Sequence, residues 1–242
     1  GIGTASARIY ASHGYDVALT ARRADRLEGL AADIKLRSGV EAYAIPADLA
    51  DPAGVDTVLA AIAEQGRVVD ALVNNAGYGL PGTYATTAWA DQAIFLQVML
   101  TSVCEMTHKV LPGMAERRFG RIVNVASLAG LVPGAAGHTL YAATKGFLVK
   151  FSQSLHLENL STGVHVSALC PGFTYSEFHD ANGTRAQVSH DGRLSGTGST
   201  SAGVTPVESD DVIGLLPVRT SWSGLAEVRV PGSHLVGELN GS

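Results

Sequence analysis

The chain is poor in the residues that announce many chemistries. Its 242 residues hold only two cysteines, Cys104 and Cys170. Two thiols cannot staple a small secreted fold, and both stand in apolar stretches, so the expectation is a pair of buried thiols in a reducing compartment, hence a cytoplasmic protein. The eight histidines show no H-x-x-x-H spacing and there is no C-x-x-C, which argues against a metal site. Charged residues make up only 16% and the net charge is −5, so no basic stripe awaits a nucleic acid. No apolar run reaches the ~18 residues of a membrane span. No G-x-S-x-G elbow is present, which sets aside a serine hydrolase.

What is there is a rhythm. Helix candidates at 3–13, 24–38, 53–65, 88–118 and 141–161 are followed by Gly14, Gly39, Gly66, Gly120 and Gly163, residues suited to a left-handed helix stop. After them come short apolar strands at Asp16–Thr20, Ala42–Ala47, Ala71–Asn74, Arg121–Ala126 and His165–Leu169. Such alternation predicts an α/β fold, a doubly wound, Rossmann-like parallel sheet covered on both faces. The length and the 46% hydrophobic content suit one domain of this kind. The polar clusters fall just past strand ends, where open parallel sheets bind their ligands.

The most informative spacing is Tyr141-Ala142-Ala143-Thr144-Lys145, with Ser127 fourteen residues upstream. Residues four apart share a helix face, so a phenol and an ammonium point into one space. A nearby ammonium favours the phenolate, which brings a phenol of ordinary pKa near ~10 toward use as an acid or base. Alone, the same spacing describes any helix face. Gly1-Ile2-Gly3 runs straight into a helix, where bare backbone lets a pyrophosphate approach the N–H groups. Arg22 and Arg23 follow the first strand. Arginine there favours a 2′-phosphate, so NADP(H) is expected over NAD(H), with Arg22 the nearer to the strand end. Solvated surface charge is the other reading.

Taken in order, the end of a glycine-rich turn, Asn74-Asn75-Ala76-Gly77, the strand-end Ser127, Y-x-x-x-K and Pro171-Gly172 resemble the classical short-chain dehydrogenase/reductase family over about residues 1–188. The resemblance implies that Ser127 hydrogen-bonds a substrate oxygen and Tyr141 exchanges a proton with it. Lys145 would hold the nicotinamide ribose and depress the Tyr141 pKa. It further implies that Asp48 meets the adenine, unless Asp48 or Asp51 is simply a helix cap. Asn75 would line the cofactor channel and Asn74 would brace the sheet. Pro171 and Gly172 would run beneath the nicotinamide, with Thr174 and Ser176 offering hydroxyls. A small carbonyl or alcohol would be the substrate, and the intact protein would be a homodimer or homotetramer.

Three features depart from that pattern. The family's catalytic Asn falls on Met99, whose thioether donates no hydrogen bond. The family's first, central strand has no counterpart, so the chain is expected to be a fragment of a longer product. After residue 188 the match ends: residues 189–242 hold nine Gly, nine Ser and Trp222 as sole aromatic. That composition predicts a poorly ordered tail, with a short helix near Glu208–Leu216 and a strand at Val228–Val230 at most. Two functions therefore stand: an NADP(H)-dependent oxidoreductase, or an inactive remnant that keeps a nucleotide-binding or dimerising surface.

Overall fold

The computed structural model describes residues 1–80, 82–172 and, as backbone, 214–219. Strands β1 (Asp16–Ala21), β2 (Ala42–Pro46), β3 (Val68–Val69), β4 (Ala71–Asn74), β5 (Gly120–Val125), β6 (Val164–Leu169) and β7 (Gly214–Arg219) form one seven-stranded sheet. Its order is β2-β1-β7-β4-β5-β6, with β3 paired to β7. β1 runs parallel to β2, and β4, β5 and β6 run parallel to one another. This is the doubly wound Rossmann-like sheet expected from the alternation.

Helices cover both faces because strand side chains alternate. Val17 and Leu19 of β1 point to one side, where they join Ala7 and Ala11 of α1 (Ile2–Ser12) and Leu27, Ala31 and Ile34 of α2 (Ala24–Ser38). Ala18, Leu72 and Ile122 point to the other. There they meet Val55, Val58 and Ile62 of α3 (Gly54–Glu64), Met106, Val110 and Met114 of α5 (Ser102–Glu116) and Leu155 of α6 (Thr139–Glu158). Each added layer removes apolar surface from water at about 25 cal/mol per Å².

The long helix expected at 88–118 is not continuous. It divides into α4 (Trp89–Leu96), a π-helical turn at Gln97–Thr101, and α5. Such a turn is a local widening of the helix, common beside functional sites, and it carries Met99. The glycine stops hold at Gly14, Gly39, Gly66 and Gly163, which all have positive φ, but not at Gly120. Arg118 takes the left-handed conformation instead, with φ 55°. Gly120 opens β5, where a Cβ would lie 2.7 Å from the Met114 side chain.

The tail also differs from expectation. Residues 214–216, expected to be helical, are extended and belong to β7, which pairs antiparallel with β1 and β4 in the middle of the sheet. A short apolar run does not by itself distinguish helix from strand. The backbone groups available on β1 and β4 supply partners to an extended segment, which tips the balance. A strand from beyond residue 188 thus shares the sheet with the rest of the chain. Thr174, Ser176 and Val228–Val230 lie outside the described residues.

Candidate active site

Ser127 ends the β5 segment and turns the chain. Its backbone is extended (φ −167°, ψ 157°), and its Oγ accepts from Ala129 N at 3.2 Å, capping the 3-10 turn Leu128–Gly130. That turn packs on the backbone of α6. A Cβ on Gly130 would stand 2.5 Å from Lys145 C and 2.6 Å from Gly146 N. Only glycine permits this approach, which holds Ser127 against the helix bearing Tyr141 and Lys145. The sequence signal for it was the pair of glycines, one on each side of the contact.

The three residues singled out by spacing do meet. Tyr141 and Ser127 share a side-chain hydrogen bond, and Lys145 Nζ lies 5.7 Å from the Tyr141 ring centroid. Lys145 is 5% exposed, and its ammonium donates to Val125 O at 2.7 Å. Burial brings its pKa down from 10.5 to about 8, while the nearby Cys170 thiol works the other way. Burial likewise raises the Cys170 thiol, against the pull of Lys145 and a backbone hydrogen bond from Ser127. The thiol is therefore part of this site, which its apolar sequence neighbours did not reveal.

The expected depression of the Tyr141 pKa is not what this geometry produces. Burial raises the phenol above its ordinary value and the Ser127 hydrogen bond only partly offsets that. The Lys145 ammonium, which donates to Val125 O, does not offset this burial.

Met99 borders the same site. It is 1% exposed, and a Cβ on Gly77 would lie 2.9 Å from its Sδ and 3.7 Å from Lys145 Nζ. Thioether and amine thus border the same point below the Asn74-Asn75-Ala76-Gly77 turn. Asn74 braces the sheet as expected, donating to Asn124 Oδ1 at 2.8 Å and Thr107 Oγ1 at 3.2 Å. Asn124 in turn donates to Ser152 Oγ at 2.9 Å, tying β4 and β5 to α6.

The remaining residues lie along the C-terminal edge of the strands. Gly1 stands at the N-terminus of α1, with Ile2 and Gly3 in its first turn. Arg22 is exposed just past β1, close enough to Tyr78 to lower its phenol, although burial raises that phenol more. Asp48 is exposed and accepts from Ala50 N at 2.9 Å, and Asp51 does the same for Ala53 N. Neither caps α3, which follows Ala53 without a side-chain cap. Asn75 lines a cleft with Thr20, Leu49 and Ala76, in which Thr20 Oγ1 is buried without a hydrogen-bond partner among the described residues. Pro171 O accepts from Leu128 N at 3.0 Å, fixing the Pro171-Gly172 loop against the Ser127 turn. A second cleft lies beside Tyr141, between the Leu80–Thr87 loop, Gln92 and the start of α6.

A helix N-terminus opened by Gly1-Ile2-Gly3, an exposed arginine and a buried hydroxyl that is unpartnered among the described residues fit a dinucleotide. The half-buried Ser127 and Tyr141 beside the buried Lys145 fit a reacting carbonyl. Together they fit an oxidoreductase site at the strand ends of the sheet. The family model for short chain dehydrogenases matches residues 1–186, and the chain belongs to that family.

Sulfoacetaldehyde reductase of Chromohalobacter salexigens is 32% identical over 239 residues, covering 93% of each chain. Among solved structures, a short-chain dehydrogenase from Sphingobium yanoikuyae in complex with NADPH superposes with a TM-score of 0.71 at 33% identity, over 76% of this chain and 71% of the other. An NAD+-bound xylitol dehydrogenase gives 0.64 at 30% identity, over 72% and 66%. The chain is thus an oxidoreductase of a family whose members take a nicotinamide dinucleotide. Among the described residues no helix is long and apolar enough to cross a membrane, and no cluster of side chains could hold a metal.

Proposed function

We propose that this chain is an NADP(H)-preferring reductase that interconverts a carbonyl and a secondary alcohol. The observation that carries the reading is the convergence of the half-buried Ser127 and Tyr141 with the buried Lys145. Gly1, Ile2 and Gly3 would hold the pyrophosphate, Arg22 a 2′-phosphate, Asp48 and Asn75 the adenine side, and Pro171 and Gly172 the nicotinamide side. Lys145 would hold the ribose. Thr174 and Ser176 are proposed to add hydroxyls there. When bound, the dinucleotide supplies or accepts the hydride at the substrate carbon.

The chain's own residues manage the proton. Ser127 Oγ hydrogen-bonds the substrate oxygen and orients it. Tyr141 Oη gives its proton to that oxygen as it gains charge. Lys145, whose ammonium lies 5.7 Å from the Tyr141 ring centroid, is assigned to stabilising the phenolate as it forms, a role that requires its side chain to turn from Val125 O toward the phenol oxygen. Burial raises the phenol above its ordinary value, so Tyr141 enters the reduction as the proton donor. Arg22 supports the NADP(H) preference, since no carboxylate follows β1 directly to accept a ribose 2′-hydroxyl. Phe147 and Leu157 on α6 are exposed, which supports a homo-oligomer.

The test is NADPH oxidation against a panel of ketones and aldehydes, with Tyr141→Phe beside the unmodified chain. Tyr141→Phe should lose turnover by about 10²-fold or more, the contribution of a positioned general acid, while NADPH binding is retained. Equal turnover of the two proteins removes Tyr141 from the mechanism. Cofactor binding without turnover of any carbonyl favours the second reading, a nucleotide-binding remnant, for which Met99 in place of the family's Asn is the specific observation.

A further inference from the structure

Lys145 is a buried ammonium with few partners. It is 5% exposed, and an ammonium carries three donors. Among the described residues its one hydrogen-bond partner is Val125 O, at 2.7 Å. The titratable groups around it add little. Tyr141, on the same helix, presents its ring centroid 5.7 Å away. Cys170, past β6, acts on the amine through its charge, but burial raises that thiol and so favours its neutral form.

Met99 is the apolar neighbour. It sits in the π-helical turn Gln97–Thr101 and is 1% exposed. A Cβ on Gly77 would lie 2.9 Å from Met99 Sδ, 3.3 Å from Met99 Cε and 3.7 Å from Lys145 Nζ. The tip of the thioether and the ammonium therefore meet at the bare backbone of one glycine. A thioether is only a weak acceptor. It fills space beside an ammonium with donors to spare and does not satisfy them.

From this we propose that Met99 is a positioning residue that controls the charge of Lys145, its thioether taking the place that a water or a side-chain acceptor would otherwise hold beside the ammonium. Withholding an acceptor makes the amine easier to neutralise, in line with burial bringing it from 10.5 to about 8. The proposed reduction uses Lys145 as a cation, so Met99 sets the pH above which the site loses rate. That kinetic consequence rests on the carbonyl-reductase reading above; the titration of the amine does not.

The chain has four lysines, Lys35, Lys109, Lys145 and Lys150, so NMR of protein labelled with 13C at lysine Cε can follow each one with pH. The signal missing from Lys145→Met is that of the site. Each protein also carries Cys170→Ala, so that no thiol titrates beside the amine. The parent should titrate near pH 8. Met99→Gln keeps the length of the side chain and adds an acceptor, and should move the midpoint up by about one unit or more. Met99→Ala, which admits water, should do the same and decides the matter if the glutamine prevents folding. Met99→Leu, apolar and of similar volume, should leave the midpoint in place. A midpoint that neither glutamine nor alanine moves overturns the proposal. So does an equal rise in Met99→Leu, or a parent amine that titrates with the other lysines. The pH dependence of kcat/KM for NADPH, with cyclohexanone or 3-pentanone as the carbonyl, reports the same free enzyme. Its fall at alkaline pH should shift in step with the amine. If the amine moves while that fall does not, or if neither ketone is reduced, Met99 still controls Lys145 and the reductase reading is what has failed.

Discussion

Replacing Lys145 with methionine should stabilise the fold at neutral pH while destroying the proposed chemistry. The amine is 5% exposed and its pKa is brought from 10.5 to about 8 by burial. The sign follows from proton counting. Between pH 8 and 10.5 the unfolded chain holds the extra proton, so stability rises with pH across that window. Below pH 8 both states are protonated and the folded state carries the full cost of a desolvated ammonium. At about 1.4 kcal/mol per pKa unit, the interval from 10.5 to about 8 corresponds to roughly 3 kcal/mol. The variant also forfeits the hydrogen bond to Val125 O, about 1 kcal/mol. Lys145→Met should therefore be more stable by about 2 kcal/mol at pH 7. The advantage should shrink from pH 8 upward and reverse before pH 10.5, where the lost hydrogen bond of about 1 kcal/mol is what remains. Urea unfolding of both proteins at pH 7, 9 and 10.5, each carrying Cys170→Ala to remove the thiol coupled to Lys145, measures this, since groups not coupled to the amine cancel in the difference. A variant that is less stable by the same amount at every pH would refute the reasoning and mean that the amine is well solvated or paired.

Other outcomes are expected from the same geometry. Arg22→Asp should weaken NADPH far more than NADH in a fluorescence titration, because a phosphate donor becomes a repelling charge; equal responses would remove Arg22 from the cofactor site. Met99→Asn should raise turnover, since it places a donor and an acceptor beside Lys145 where a thioether now sits. An unchanged rate in a folded, NADPH-binding variant would show that Met99 does not limit proton movement. Gly130→Ala should lower stability by about 1–3 kcal/mol and reduce turnover, because its Cβ would stand 2.5 Å from the Lys145 backbone. A wild-type melting temperature and rate would mean that the turn and α6 are not in close contact.

Much of the frame was legible from local pattern. Period-2 and period-3.6 apolar runs with glycine stops identify β1, β2, β4, β5, β6 and the helices around them, because these patterns follow from the geometry of each element alone. The grouping of Ser127, Tyr141 and Lys145 could be read from their placement at a strand end and one helix turn apart. The break at Gln97–Thr101 could not, since a π-helical turn leaves no apolar signature distinct from an α-helix.

The sequence by itself determined the class: an alternating α/β chain, its polar residues gathered at strand ends, and a hydroxyl, a phenol and an amine in the order the family uses. Only the tertiary structure decided their states. Burial, a property of many packed neighbours, raises Tyr141 and lowers Lys145, opposite to what their pairing on one helix face suggested for the phenol. The same is true of β7. Its residues are ambiguous locally, and pairing with β1 and β4 from distant parts of the chain makes them a strand.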